Sequence, residues 1–302
     1  MSVSRANHQW RTVRTTLERA GDRFTRLLTS VPPRTMATRD WTVAETGAHV
    51  AAIAHLYTAI VRQDGTPHPM PELAGPIAST TVDTVADVND LALGSYPERD
   101  PAELARRLRA DIGEILRATE RLDPATPVPW LGGAGVPLAG VLAHLVNETH
   151  LHGWDIARSG RVPWTIPPRE AALFFDLFLV GMIREGYGRL MDTAGPKRSG
   201  RIAVRFHSRY TTPATLVLRD GRVSVEERSS RADVHLAFDP PTLNLVLFGR
   251  VSRPRAVLTG RVVAWGRRPW LLPPFLREVR LPANRRPRRH HATTAGEAAV
   301  DA

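Results

Sequence analysis

The chain has 302 residues, 42% of them apolar, which is enough for a sizeable core and too many for a disordered polymer. It contains no cysteine, which excludes disulfides, thiolate zinc sites and a cysteine nucleophile, so any thiol chemistry needs a thiol that arrives as a cofactor. The net charge of +11 is unevenly placed: residues 1–195 carry 20 basic and 22 acidic side chains, whereas residues 196–302 carry 21 and 8.

In chain order, Trp10, Val13, Leu17, Ala20, Phe24, Leu27 and Leu28 recur at three and four residues and predict an amphipathic helix. Val31-Pro32-Pro33 stops it. A second helix is predicted from Thr42, where Thr-Val-Ala-Glu45 reads as a capping box, to about Arg62. Asp64 to Pro76 holds four prolines and two glycines and is read as a loop. Further helices are predicted over about Val82–Leu93 and after Asp100-Pro101, the latter with Leu104, Leu108, Ile112 and Ile115 on one face. Pro124 to Pro137 reads as a loop. Leu138 to Arg158 reads as a helix with Gly160 as its C-terminal cap, and 169–190 as one more helix.

After Gly195-Pro196 the pattern changes to short strands at Arg201–Phe206, Ala214–Leu218, Arg222–Glu226 and Asp233–Phe238, with Asp220-Gly221 as a hairpin turn. Asp239-Pro240-Pro241 opens a helix that ends at Phe248-Gly249, and apolar runs resume at Val257-Leu258 and Arg261–Trp265. The expected organisation is a helical unit over 8–192, a small α+β domain over 198–282, and a disordered basic tail over 283–302. The N-terminus lacks the apolar stretch of a signal peptide. The most apolar run, Ala171–Ile183, is 13 residues long and contains Asp176, short of the roughly 20 residues that span a bilayer. A cytoplasmic protein is expected. With forty arginines against one lysine, no helix-turn-helix pattern and 6% aromatic residues, the basic excess reads as solvated surface, and nucleic acid is not expected as a partner.

The segment His144-Leu-Val-Asn-Glu148-Thr-His150-Leu-His152 carries the chemistry. His144, Glu148 and His152 lie four apart on one helix face, so Glu148 can share an ion with either neighbour. The two histidines are roughly 12 Å apart along the axis and cannot both do so. His49 falls in register with Glu45, Ile53, Leu56 and Ile60 on the second helix. A histidine on such a buried stripe needs a polar partner: a carboxylate in the core, or a metal. Two histidines and one glutamate with an open fourth position would be a catalytic zinc arrangement.

Trp41-Thr42-Val43 followed by Gly47-Ala48-His49-Val50, together with Asn147-Glu148-Thr-His150-Leu-His152-Gly153-Trp154-Asp155-Ile156-Ala157-Arg158, resembles the mycothiol-dependent maleylpyruvate isomerase family. The resemblance covers about 8–190 and implies a DinB-like four-helix bundle with zinc on His49, Glu148 and His152, thereby selecting Glu148/His152 over His144/Glu148. His144 and Asp155 are then expected beside the ligands, Asp155 as an orienting partner or a helix-end ion pair. Residues 198–282, with Leu-Arg-Asp220-Gly221, Asp233-Val-His-Leu-Ala-Phe-Asp239-Pro240, Phe248-Gly249-Arg250 and Leu258-Thr-Gly260-Arg261-Val262, resemble a sterol carrier protein type 2-like α+β domain. The implied function is a metal-dependent enzyme that uses mycothiol for isomerisation or thiol transfer on a small electrophile. The alternative is a non-catalytic protein that binds a metal and an apolar ligand, with Leu243, Leu247, Phe248 and Val262 around it.

Overall fold

The computed structural model describes residues 3–62, 65, 69–192, 199–226 and 231–280. The expected tail over 283–302 and part of the loop over 64–76 lie outside them. Helix α1 (Val3–Ser30) buries Val13, Leu17, Phe24 and Leu28. Helix α2 (Val43–Arg62) begins at the capping box: Glu45 Oε2 accepts from the Thr42 backbone N–H at 2.7 Å, and Thr42 Oγ1 accepts from the Glu45 N–H at 3.2 Å.

The proline-rich connection is more ordered than its composition implies. A short 3₁₀ turn at Pro71–Leu73 leads into α3 (Ala74–Ser79), then α4 (Val85–Ser95). Pro71 and Pro76 both sit in first turns, where no backbone donor is required, so neither breaks its helix. Helix α5 (Pro101–Ala118) is capped by Asp100, which accepts from the Glu103 N–H at 2.8 Å. Pro124 to Pro137 is likewise not a plain loop: β1 (Pro127–Pro129) pairs antiparallel with β2 (Gly135–Pro137) around a 3₁₀ turn.

Helix α6 (Leu138–Gly160) is buried along nearly its whole length. Its left-handed cap is Arg161 (φ 55°) rather than Gly160. Gly160 is helical, and a Cβ there would meet Val31 Cγ2 at 2.6 Å, so it serves close packing of α6 against the end of α1. Helices α1, α2, α5 and α6 form the four-helix bundle, each of α1 and α2 packing on both α5 and α6.

The helix expected over 169–190 is three pieces. Helix α7 (Pro168–Leu173) passes into a π-helical segment, Phe174–Leu179, and then α8 (Val180–Glu185), ended by Gly186 at φ 111°. The C-terminal part is a mixed sheet in the order β5-β4-β3-β6-β7. Its strands are β3 (Arg201–His207), β4 (Ala214–Arg219), β5 (Arg222–Glu226), β6 (Val234–Phe238) and β7 (Val262–Trp265). Only β3 and β6 run parallel, with Val204 opposite Val234. Asp220 and Gly221 both take positive φ, the geometry of a two-residue hairpin between β4 and β5.

Helices α9 (Pro240–Leu247), α10 (Arg253–Leu258) and α11 (Leu272–Glu278) complete the fold. Val257 and Leu258 therefore belong to a helix, and both are exposed. The two parts share one continuous core. Phe175 of the π-helical segment lies 5.4 Å from the ring of Phe206 on β3 and 5.1 Å from that of Phe238 on β6. Asn244 on α9 donates to Asn147 Oδ1 on α6 at 3.0 Å.

Candidate metal centre

Helices α2 and α6 cross so that His49, Glu148 and His152 meet, all buried. Each can offer one ligand atom such that the three lie within 4.8 Å of one another. Glu148 Oε2 is the common point, 3.6 Å from His49 Nε2 and 3.3 Å from His152 Nε2. Tetrahedral ligands about zinc at bonds of 2.0–2.1 Å stand roughly 3.3 Å apart, so this donor set fits the ion in kind and in spacing. The Trp41 ring packs on His49 at 4.7 Å between centroids and fixes that ring from the solvent side of α2.

His144 occupies a different role. The Trp130 indole can only donate, and it does so to Tyr57 Oη at 2.9 Å. The Tyr57 hydroxyl proton is then directed at His144 Nδ1, 3.0 Å away, which makes Nδ1 the acceptor and leaves the ring's N–H on Nε2. That N–H faces Glu148 Oε1 at 3.5 Å. A nitrogen that carries a proton is not a ligand, so His144 orients the glutamate through its second oxygen.

On the other flank, His152 Nδ1 lies 3.2 Å from Asp155 Oδ2. Asp155 is gripped by Arg250 from the C-terminal part, whose Nη2 donates to Oδ2 at 2.6 Å and whose Nε donates to Oδ1 at 3.1 Å. This places the Nδ1 proton of His152 toward Asp155 and leaves Nε2 free to face Glu148. Arg250 follows α9 on the turn after Gly249, a position with no local signal in the sequence.

The electrostatics follow from burial and neighbours. Burial alone would raise Glu148, but the His152 and His49 side chains, with His144 close by, hold its carboxyl well below the usual range. Burial lowers His49 and His144, so both favour the neutral form. Burial opposes a charged His152 as well, yet Asp155 and Glu148 outweigh it and raise this one. Two carboxylates stand against a single guanidinium, and the remaining negative charge is answered by a proton on His152 or by a cation among the three ligand atoms.

The other residues of the α6 motif lie elsewhere. His150 points away, with Nε2 3.1 Å from Glu170 Oε2. Trp154 does not face the centre and carries the Arg158 guanidinium over its ring at 5.4 Å. Gly153 is a close-approach position: a Cβ would meet the Trp164 ring at 2.1 Å. The centre opens onto a cavity of about 400 Å³. Of the residues expected around an apolar ligand, Phe248 lines this cavity, Leu243 is core, and Leu247 and Val262 pack at the core's margin.

Residues 12–157 match the family model described as the mycothiol maleylpyruvate isomerase N-terminal domain. This span takes in His49, Glu148, His152 and Asp155 and ends before Arg250. A crystal structure of a mycothiol-dependent maleylpyruvate isomerase, and one of a mutant of it, each align over 84% of this chain and 92% of that chain at 14% identity with a TM-score of 0.48. A stereoselective inverting sec-alkylsulfatase from Pseudomonas sp. aligns over 74% of this chain and 36% of that chain at 15% identity, with a TM-score of 0.27. At this identity and overlap, none of these likenesses bears on function. No curated protein matches the sequence. No helix among the described residues is long and apolar enough to cross a membrane.

Proposed function

We propose that the chain is a metal-dependent enzyme that activates a low-molecular-weight thiol, mycothiol by its family match, for isomerisation or thiol transfer on a small electrophile. The observation that carries this reading is the buried His49/Glu148/His152 donor set at the wall of a cavity large enough for a small molecule. His49 Nε2, Glu148 Oε2 and His152 Nε2 would hold a divalent ion, with zinc the best fit to two imidazoles and a carboxylate. When bound, such an ion deprotonates a coordinated thiol and so supplies a thiolate nucleophile at neutral pH.

The chain's own residues do the rest. Asp155 keeps His152 in the tautomer that presents Nε2, and His144 holds Glu148 so that Oε2 remains turned to the ligand set. Trp41 and the aliphatic walls exclude water from the reacting atoms. The absence of cysteine fits a thiol that is brought in rather than built in.

A second reading, a protein that binds an apolar ligand without turnover, is favoured by the aliphatic walls of the same cavity. The two part on one measurement: metal bound to untagged protein by mass spectrometry, beside His152→Ala. About one divalent ion per chain, lost in the variant, supports the enzyme. No ion in the parent protein after zinc is supplied would leave ligand binding in front.

A further inference from the structure

We infer that the electrophile taken by this centre is an apolar molecule, an alkyl- or aryl-bearing compound, and not a polycarboxylate. The inference rests on the metal–thiol reading for the word electrophile, and on the cavity alone for its apolar character.

The row on α2 that begins at His49 continues as Ile53, Leu56 and Ile60, and all three line the cavity. They are only partly buried, although they sit inside the fold, because their exposed faces look into the cavity. Ile77 on α3 and Val88 on α4 close it from the opposite side. This is apolar surface left open to water, which a ligand of the same character would cover favourably.

Polar partners for a charged substrate are missing from the same list of walls. Tyr57 and Trp130 bond each other and His144. Among the described residues Arg250 is the one cation lining the cavity. Its Nε and Nη2 are both held by Asp155, and its Nη1 donates to the Phe248 carbonyl at 3.2 Å. An incoming carboxylate would lose its hydration and find no free counter-ion. Two carboxylates would fare worse.

The test uses the full chain loaded with cobalt, whose thiolate absorption reports coordination. Ethanethiol to octanethiol are titrated beside mercaptosuccinate, and ethanol to octanol are titrated by calorimetry as probes that do not require the metal. Each added methylene is expected to tighten binding by about fourfold until the cavity is full, the equivalent of about 0.8 kcal/mol. Mercaptosuccinate is expected to bind more weakly than hexanethiol. Ile77→Asp, remote from the ligand residues, is expected to flatten the dependence on chain length while ethanethiol binding stays as it was. Alcohols that tighten with length in the absence of any thiolate band would support the apolar cavity and sink the metal–thiol reading. Flat series for both thiols and alcohols, or mercaptosuccinate as the tighter ligand, would overturn the inference.

Discussion

The two flanks of Glu148 support the same centre by opposite means. Toward the N-terminus of α6, support is a neutral chain of hydrogen bonds, Trp130 to Tyr57 to His144, drawn wholly from the first 160 residues. Toward the C-terminus it is a charged chain, His152 to Asp155 to Arg250, whose last member comes from beyond the sheet strand β6. A neutral chain costs little to bury and tolerates the loss of a link. A charged one is costly to break, because whatever remains is an uncompensated charge in a poorly solvated place.

The largest effect should therefore come from Arg250→Ala. It leaves Asp155 buried without its guanidinium, and a loss of about 3 kcal/mol of folding stability is expected in denaturant unfolding. Zinc affinity, read by competition with a chelating dye, is expected to fall by about 10- to 100-fold as His152 loses its orientation. An unchanged affinity would mean that the charged flank serves the fold and not the centre.

Tyr57→Phe should be milder. It leaves Trp130 Nε1 and His144 Nδ1 without partners, at a cost of about 1–3 kcal/mol, and frees His144 to change tautomer. Zinc affinity is expected to drop less than in Arg250→Ala, and equal drops would erase the contrast between the flanks.

The smallest effect, and a control outside both flanks, is at His55. Asp111, 3.6 Å away, raises this partly exposed imidazole above its ordinary value despite some burial. A raised value means stability that is present below pH about 6.5 and lost as pH rises through the folded value. Solvent screening limits it to a few tenths of a kcal/mol. Asp111→Asn should remove that slope from the pH dependence of unfolding and leave metal binding alone.

How much of this could be read from the sequence depended on whether the information was local. The α1 stripe, the Thr42/Glu45 box and the Asp220-Gly221 turn are each set by neighbours within a few residues, and the structure has all three. The spacing of Glu148 and His152 was equally plain, but spacing left His144 as an alternative. Only the long-range bond from Tyr57 to His144 gives that histidine another task. Arg250 was one arginine among forty, and nothing near it marks it. Proline content misled at α3 because prolines in first turns read like breakers when the helix start is not known. Gly160 misled for the reverse reason, since glycine near a helix end suggests a cap when the space beside Val31 is not visible.

The π-helical segment Phe174–Leu179 has a consequence for how the chain tolerates change in length. Successive residues of an α-helix are set about 100° apart around the axis, and a π-turn takes up one residue more than its α counterpart. Phe175 is thereby aimed at the sheet while Phe178 meets Trp130 at 4.8 Å beside the centre. Removing one residue here would advance the angular phase of everything after it by about a quarter turn. The two aromatic rings could not then both keep their seats. The widened turn acts as a phase adjuster between bundle and sheet, so the tolerance of this stretch to deletion is set by rotation and not by loss of contact area.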